Sequence, residues 1–297
     1  MTDYYVRLCH YGYGFIEDFW AVEQNVAYRN VIPSPIGTHY ACDGEGIMTT
    51  LEKRFPDSKF HKLKLAPGEY FPRMARPRST WFEASPGTNP DTSATARNVR
   101  TTSTGQLHAL IQELQNLCRV VHPIESNFDT YGHAIRNIII IACTEVEAYW
   151  KNILLANGVS AKKAKNRDHY VKLSPAMKLD AYRVSLPWYP WLDPIAPFKK
   201  WTIPDKGQKQ CLPWYDAYNA IKHDRERKFA NAKLIHAISS VTACFVMLCA
   251  QYGNDFVKTG AAAESVFFRL VEAPKWAPSE IYVPAFDMAE KERNYLF

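Results

Sequence analysis

Four polar residues in one short stretch could support acid–base chemistry. His223 follows Asn219 by one helical turn, and the cations Lys222 and Arg225 stand beside the imidazole in the sequence. A neutral imidazole can give or take a proton near pH 7, and a cation can bind a phosphate. The set therefore suits metal-free phosphodiester cleavage, in which His223 activates a ribose hydroxyl and a cation stabilises the developing charge. The alternative is structural: the imidazole and the amide could instead hydrogen-bond to neighbouring helices.

Hydrophobic periodicity predicts that these residues lie on one helix, over 214–227. At about 100° per residue, four apolar residues form a stripe: Trp214, Ala217, Tyr218 and Ile221. The polar side holds Tyr215, Asn219, Lys222, His223 and Glu226. We expect the stripe to pack into a core and the polar side to face a site or a partner.

An apolar helix earlier in the chain contains two carboxylates. The pattern predicts a long helix over 128–155, apolar on nearly all sides, with Glu145 and Glu147 inside it. An ionised carboxylate in a buried helix needs a partner, and the polar side of the 214–227 helix offers cations and an imidazole. Such a carboxylate would either hold the imidazole in one tautomer or form an interhelical salt bridge.

The elements around these two helices predict a mainly α protein with four regions. Residues 1–82 are rich in turn signals and short alternating runs, which indicates an irregular, partly β region. Residues 83–104 are dense in Ser, Thr, Pro and Gly, as is typical of a linker or mobile loop. A helical bundle is predicted over 105–255, and 256–297 is predicted to hold a short β-hairpin and a tail.

The first bundle helix has a recognisable start. Ser103 and Gln106 have the spacing of a capping box, and an apolar stripe runs from Leu107 to Val121, just before Pro123. The sequence therefore predicts that this helix begins near residue 104.

Positive charge is concentrated in one segment. The chain has a net charge of +6, and residues 151–183 contain eight basic and two acidic residues. The basic residues are Lys151, Lys162, Lys163, Lys165, Arg167, Lys172, Lys178 and Arg183. Such a segment could attract the phosphate backbone of a nucleic acid, or it could be an ordinary solvated surface.

Cysteine usage and the apolar segments predict a cytoplasmic protein. The seven cysteines include no C-x-x-C pair, which fits a reducing compartment and no zinc knuckle. The N-terminus shows no basic segment followed by an apolar one, so we expect no signal peptide. The apolar stretch over 232–252 is interrupted by polar residues and predicts a core helix, not a membrane span. No metal-binding, Walker A or dinucleotide-loop spacing is present, so we expect no cofactor.

The helix Ile138–Trp150, with its embedded acidic residues, resembles the early core helix of HEPN-type bundles. Asn219 and His223 in the later helix are similar to part of the HEPN motif, in which an Arg, commonly followed by Asn, precedes a His with four to six residues between them. The resemblance covers residues 107–252. It implies a helical bundle, and for catalytic members a metal-independent RNase with motifs paired at a dimer interface. Such proteins occur as toxins, antiphage effectors and CRISPR-associated nucleases, and others are non-catalytic scaffolds.

The sequence departs from that motif at the arginine. The expected positions hold Asp216, Ala217 and Tyr218, whereas Arg225 comes after His223. We therefore expect first a HEPN-like cytoplasmic homodimer that binds RNA or a protein partner without turnover. The alternative is a metal-independent RNase.

The alternative assigns a role to each polar residue. His223 would be the general acid or base and Asn219 would orient it or the substrate. Lys222 or Arg225 would contact phosphate, and Glu145 or Glu147 would support the imidazole.

Overall fold

The computed structural model describes most of the chain as two compact units. The described residues are 2–11, 14–29, 39–79, 84–88, 90–91, 93–165, 167–203, 212–253, 267–284 and 289–297. Unit 1 comprises Met1–Phe71, Arg76–Pro90 and Lys275–Arg293. Unit 2 comprises Pro72–Ala75, Asp91–Pro274 and Asn294–Phe297.

Strands and helices are distributed unevenly along the chain. The strands are β1 Asp3–Tyr11, β2 Gly14–Val22, β3 Val26–Arg29, β4 His39–Ala41, β5 Ser58–Lys62, β6 Glu69–Tyr70, β7 Arg76–Ser79, β8 Ala84–Thr88, β9 Arg183–Ser185, β10 Arg269–Glu272 and β11 Lys291–Glu292. The α-helices are α1 Ile47–Arg54, α2 Ala94–Val120, α3 His133–Ala156, α4 Arg167–Tyr170, α5 Leu173–Met177, α6 Pro213–His223, α7 Arg225–Lys228 and α8 Leu234–Tyr252. Helices dominate unit 2 and strands dominate unit 1, so the mainly α prediction holds only in part.

Unit 1 is built on a five-stranded antiparallel sheet with the strand order β4-β3-β2-β1-β5. Successive side chains of a strand point to opposite faces, and both faces of this sheet carry buried residues. Val6 opposes Phe19 in the register and packs with Ile281 of the C-terminal segment. Trp20 packs with Leu51 of α1 in a second cluster. The sheet is therefore covered on both sides, by α1 and by the returning C-terminal segment.

A buried ionic network links three strands of this sheet. Asp18 on β2 accepts hydrogen bonds from Arg7 Nε at 2.8 Å, from Arg29 Nε at 2.9 Å and from the Trp20 indole at 2.6 Å. A buried carboxylate is stable only when donors satisfy its oxygens. Three donors from three strands meet that requirement and hold the strands in register.

Unit 2 is a helical bundle with α8 at its centre. This helix contacts α2, α3 and α6, and 16 of its 19 residues are buried. α8 is long and apolar enough to span a membrane, but neighbouring helices bury most of its residues, as is typical of a core helix. The core-helix prediction for 232–252 is confirmed.

Several predicted boundaries differ from the structure. Residues 94–104, predicted as part of a linker, are helical and belong to α2. The helix begins earlier because the Ser93 hydroxyl caps it, accepting a hydrogen bond from the Ala96 amide at 3.1 Å. Ser103, predicted as a cap, is a buried residue inside the helix. The N-terminal region, predicted as irregular and partly β, contains a regular sheet in which β1 to β4 pair in chain order and β5 pairs with β1.

The C-terminal region predicted to hold a β-hairpin contains β10. Its partner is β9, with Leu270 opposite Val184 in an antiparallel pair. Further along, Tyr282 forms an isolated bridge with Arg78. Residues 275–293 group with unit 1, so the predicted region 256–297 is shared between the two units, and its residues 256–266 and 285–288 lie outside the described residues.

Candidate functional site

α6 carries most of the residues predicted to form a site. Pro213 occupies its first turn, and the predicted apolar stripe is confirmed as buried. The helix stops at His223, earlier than predicted, because Asp224 leaves the helical conformation and caps α7 by accepting from the Arg227 amide. His223 is therefore the last residue of α6 and lies on the exposed surface.

The centre of the site is Glu147 of α3, which is bonded by two tyrosines of α6. The hydroxyl of Tyr215 donates to Glu147 Oε1 at 2.6 Å, and that of Tyr218 donates to Oε2 at 3.1 Å. Hydrogen bonds to a charged acceptor are stronger than those between neutral groups. The carboxylate thus fixes α6 against α3 through two ring hydroxyls.

Lys222 completes this network from the next turn of α6. Its ammonium donates to the Tyr218 hydroxyl at 2.9 Å and lies 3.8 Å from Glu147 Oε2. The hydrogen bond to Tyr218 raises the pKa of Lys222, and the charge of Glu147 acts in the same direction. Since 45% of the lysine side chain is exposed, its charge remains accessible to a ligand. The predicted interhelical ion pair between α3 and α6 is confirmed for Glu147 and Lys222.

Glu145 has different surroundings, although it lies two residues from Glu147 on α3. Residues two apart on a helix do not share a face. No hydrogen bond or ion pair of its carboxylate is found within the part of the chain that the structure describes, and burial raises its pKa. The structure thus gives Glu147, but not Glu145, a contact with α6.

The two residues predicted to be catalytic are not joined by a hydrogen bond. Asn219 donates from its amide to the carbonyl of Tyr215 at 2.9 Å, one turn earlier on its own helix. Among the described residues, the exposed ring of His223 has no hydrogen-bond partner that would fix its tautomer. The side chain of Arg225, the other predicted phosphate ligand, lies outside the described residues, although the residue begins α7. Among the described residues, the structure joins neither Asn219 nor Lys222 to the imidazole by a hydrogen bond, and the acid–base set stays a prediction.

An aromatic cluster beside this network was not predicted. Trp150 of α3 is fully buried, and its indole Nε1 has no hydrogen-bond partner in the described part of the chain. Five rings surround it with centroids 4.8–6.3 Å away: Tyr170, Phe198, Trp201, Trp214 and Tyr215. The density of tryptophan and proline over 186–213 could have indicated packed aromatic residues, but it gave no partner for them.

The basic segment is attached to the same cluster. Tyr170, at the end of α4, stacks against Trp150 with ring centroids 5.1 Å apart. Burial raises the pKa of Tyr170, Glu147 acts in the same direction, and Lys222 opposes the shift. Tyr215 of α6 contacts the same indole, with ring centroids 5.2 Å apart. The basic segment and α6 therefore meet at Trp150.

Several lysines of the basic segment are exposed. Lys162, Lys163 and Lys165 have exposed side chains, the last two in a 3₁₀ helix over Lys163–Lys165 that contacts α3 and α4. Burial lowers the pKa of His169, and the charges of Lys172 and Lys163 lower it further. We call Lys162, Lys163, Lys165, Lys172 and Lys222 the basic surface.

The donor set of this region does not suit a metal ion. Across the described residues, no group of three or more His, Cys, Asp and Glu side chains converges on one point. Its chemistry is that of cations, hydroxyls and aromatic rings, which bind anions and planar groups.

Comparisons with known proteins found no relatives. No protein family matches the sequence, and neither a curated protein nor a solved structure is significantly similar to the chain.

Proposed function

We propose that the protein binds RNA through the basic surface of unit 2 and does not cleave it. The main supporting observation is the position of Lys222, whose ammonium is held by Tyr218 and Glu147. Its helix α6 and Tyr170 of the basic segment both pack against Trp150. Lysines that share one surface attract a phosphate backbone and release its counterions on binding.

The chemistry of the surface suits contacts to a phosphate backbone. Proteins that bind single strands combine a cationic groove with aromatic rings that stack on bases. Here Lys162, Lys163, Lys165 and Lys222 are exposed, whereas the rings around Trp150 are buried and hold the basic segment against α3. We therefore assign the affinity to phosphate contacts, with no sequence preference.

Three features favour binding over cleavage. Tyr218 stands where the HEPN motif has arginine, and it is 2% exposed and committed to Glu147 and Lys222. The amide of Asn219 is bonded to the backbone, so it does not orient the imidazole. A general base works when a second group fixes its orientation and tautomer, and His223 lacks such a group among the described residues.

The resemblance to HEPN proteins supports the biological setting of this proposal. The resemblance agrees with the contacts among α2, α3, α6 and α8. From this resemblance we propose a cytoplasmic homodimer that acts in toxin or antiphage defence. The five cysteines that the structure describes in full are not disulfide-bonded, as a reducing compartment requires.

The binding test uses fluorescence anisotropy with a labelled, unstructured RNA. Reversing three lysines of the surface (K162E, K163E and K165E together) should weaken binding by at least about tenfold, since each phosphate contact contributes to affinity. A matched control reverses three exposed lysines elsewhere, Lys59, Lys199 and Lys291, and should bind as the wild type does. Equal weakening by both variants would show that only net charge matters and would reject the surface.

Incubation of the same RNA with the wild-type protein and with H223A separates binding from cleavage. We expect the RNA to stay intact with both proteins and the two affinities to agree. Cleavage by the wild type that H223A abolishes would replace this proposal with the RNase alternative.

A further inference from the structure

Unit 2 contains a cavity of about 420 Å³ that is separate from the basic surface. Residues of three segments line it: the 3₁₀ helix Glu125–Asn127 with the residue after it, the loop 191–195, and the first turns of α8. Its apolar wall is formed by Phe128, Leu192, Ile195, Ile235 and Ile238. Apolar cavities of roughly 300–1,000 Å³ are the usual size for small organic ligands. The volume and the wall suit the apolar body of such a molecule.

Hydrogen bonds hold each wall of the cavity in place. Ile195 exchanges two backbone hydrogen bonds with Val184, at 2.9 and 2.7 Å. The indole of Trp191 donates to the carbonyl of Pro123 at 2.9 Å. The amide of Ile235 donates to the carbonyl of Phe128 at 3.3 Å, which ties α8 to the 3₁₀ helix. The cavity is thus formed before a ligand arrives, so binding costs little ordering of the protein.

The charged groups of the cavity are all acidic. Glu125 and Asp193 are the charged residues among the nine that line it, and both are exposed. Within the described residues neither carboxylate forms an ion pair. Lys233, just before α8, is already paired with Asp129 at 2.8 Å. The cavity therefore combines an apolar interior with two carboxylates that have no ion-pair partner in the described part of the chain.

The ring of Trp191 adds a feature that favours cations. It lines the cavity and is 52% exposed, and an indole face attracts an ammonium or guanidinium group. An anionic ligand would face two carboxylates, and a sugar would meet a wall that is mainly hydrocarbon. Charge complementarity thus selects one class of ligand.

We propose that this cavity binds a small organic cation with an apolar body, such as an arylalkylamine. The apolar body would lie against the isoleucines, and the ammonium would lie at Glu125, Asp193 and the indole of Trp191. This site is independent of the RNA-binding surface, because it is acidic and shares no residue with it.

The test titrates the full-length protein with 2-phenylethylamine, 3-phenylpropanamide and 3-phenylpropionate. The indole N–H signal of Trp191 is followed by NMR and is assigned by its loss in W191F. We expect the amine to shift this signal with saturation, and to bind at least about tenfold more tightly than the amide or the carboxylate. No saturable shift with the amine, or equal affinity for all three compounds, would overturn the proposal.

Three variants test which residues of the cavity determine the preference for the amine. E125Q with D193N should abolish the preference for the amine over the amide, whereas E113Q with D180N removes two exposed carboxylates of unit 2 outside the cavity and should retain it. I235W should block all three compounds by filling the cavity. Thermal unfolding of each variant separates lost binding from lost folding, and retention of the preference in E125Q with D193N would contradict the assignment.

Discussion

Glu145 and Glu147 show how two equal side chains on one helix acquire different roles. Glu147 accepts from two tyrosine hydroxyls and lies within 3.8 Å of an ammonium. Glu145 is half-buried, has no hydrogen-bond donor among the described residues, and burial raises its pKa. The sequence predicts that both need partners but cannot assign them, because the choice depends on the rotation of α3 relative to α6.

Replacing Glu147 and Glu145 by glutamine should affect the stability of the protein differently. E147Q removes the charge that two hydroxyl donors and the Lys222 ammonium stabilise, and should lower the free energy of unfolding by about 1–3 kcal/mol. E145Q removes a carboxylate without a described donor, and should leave stability unchanged or raise it. Urea denaturation at pH 7 compares the two variants. Equal destabilisation would contradict the difference in their surroundings.

Glu145 should also make stability depend on pH. Its folded pKa lies above the ordinary value of 4.5, so the folded state binds the proton more tightly than the unfolded state. Stability is then lost as the pH rises from about 4.5 through the folded pKa. The difference in unfolding free energy between E145Q and the wild type should therefore grow over this range, as measured by urea denaturation at several pH values. A difference that is constant from pH 4 to pH 7 would refute the assignment.

The sequence predicted the buried stripe of α6 correctly but misplaced one residue of its polar side. Tyr215 was expected on the polar side, yet it is 4% exposed and bonds to Glu147. A tyrosine can bury its ring and still present its hydroxyl to a polar group, so helical position alone does not show whether the ring is exposed.

At the level of elements, α2 begins earlier than its amino-acid composition predicts. Its first turns are rich in Thr and Arg and resembled a loop, but Ser93 caps them and the helix continues into a buried stripe. Helix propensity is a weak predictor when a cap and a packed face are present. The buried residues of α2 begin at Ser103, so the turns before it depend mainly on the cap.

Removal of that cap should therefore act locally. S93A should cost about 1 kcal/mol of local helix stability, and should speed amide exchange in residues 94–102. Exchange over residues 107–118 should be unchanged, because buried contacts hold that part. S93D is the matched control, since aspartate can also cap. Faster exchange along the whole of α2 would show that the cap supports the bundle as well.

At the scale of the molecule, local patterns predicted the bundle better than the sheet. The helices of 105–255 follow from 3.6-residue periodicity, which a single segment displays. The sheet of unit 1 depends on pairing between β1 and β5 and on a C-terminal segment more than 200 residues away. These two contacts leave no local pattern and could not be predicted, whereas β1 to β4 pair in chain order.

The two proposed binding sites of unit 2 carry opposite charges. The basic surface and the acidic cavity lie in unit 2 and share no residue. Each should bind its own ligand class, so saturating the cavity with 2-phenylethylamine should leave RNA affinity unchanged at constant ionic strength. Anisotropy titrations with and without the amine measure this. Competition between the two ligands would place them at one site.

The salt dependence of RNA binding is the most direct test of whether the basic surface binds phosphates. The logarithm of the association constant should fall with the logarithm of salt concentration, with a slope of about −0.7 for each phosphate neutralised on a single strand. If Lys162, Lys163 and Lys165 contact phosphates, their replacement by glutamine should make the slope shallower by about 2. The same replacement at Lys59, Lys199 and Lys291 should leave it unchanged. An identical slope in the wild type and in the surface variant would show that these three lysines do not contact phosphates.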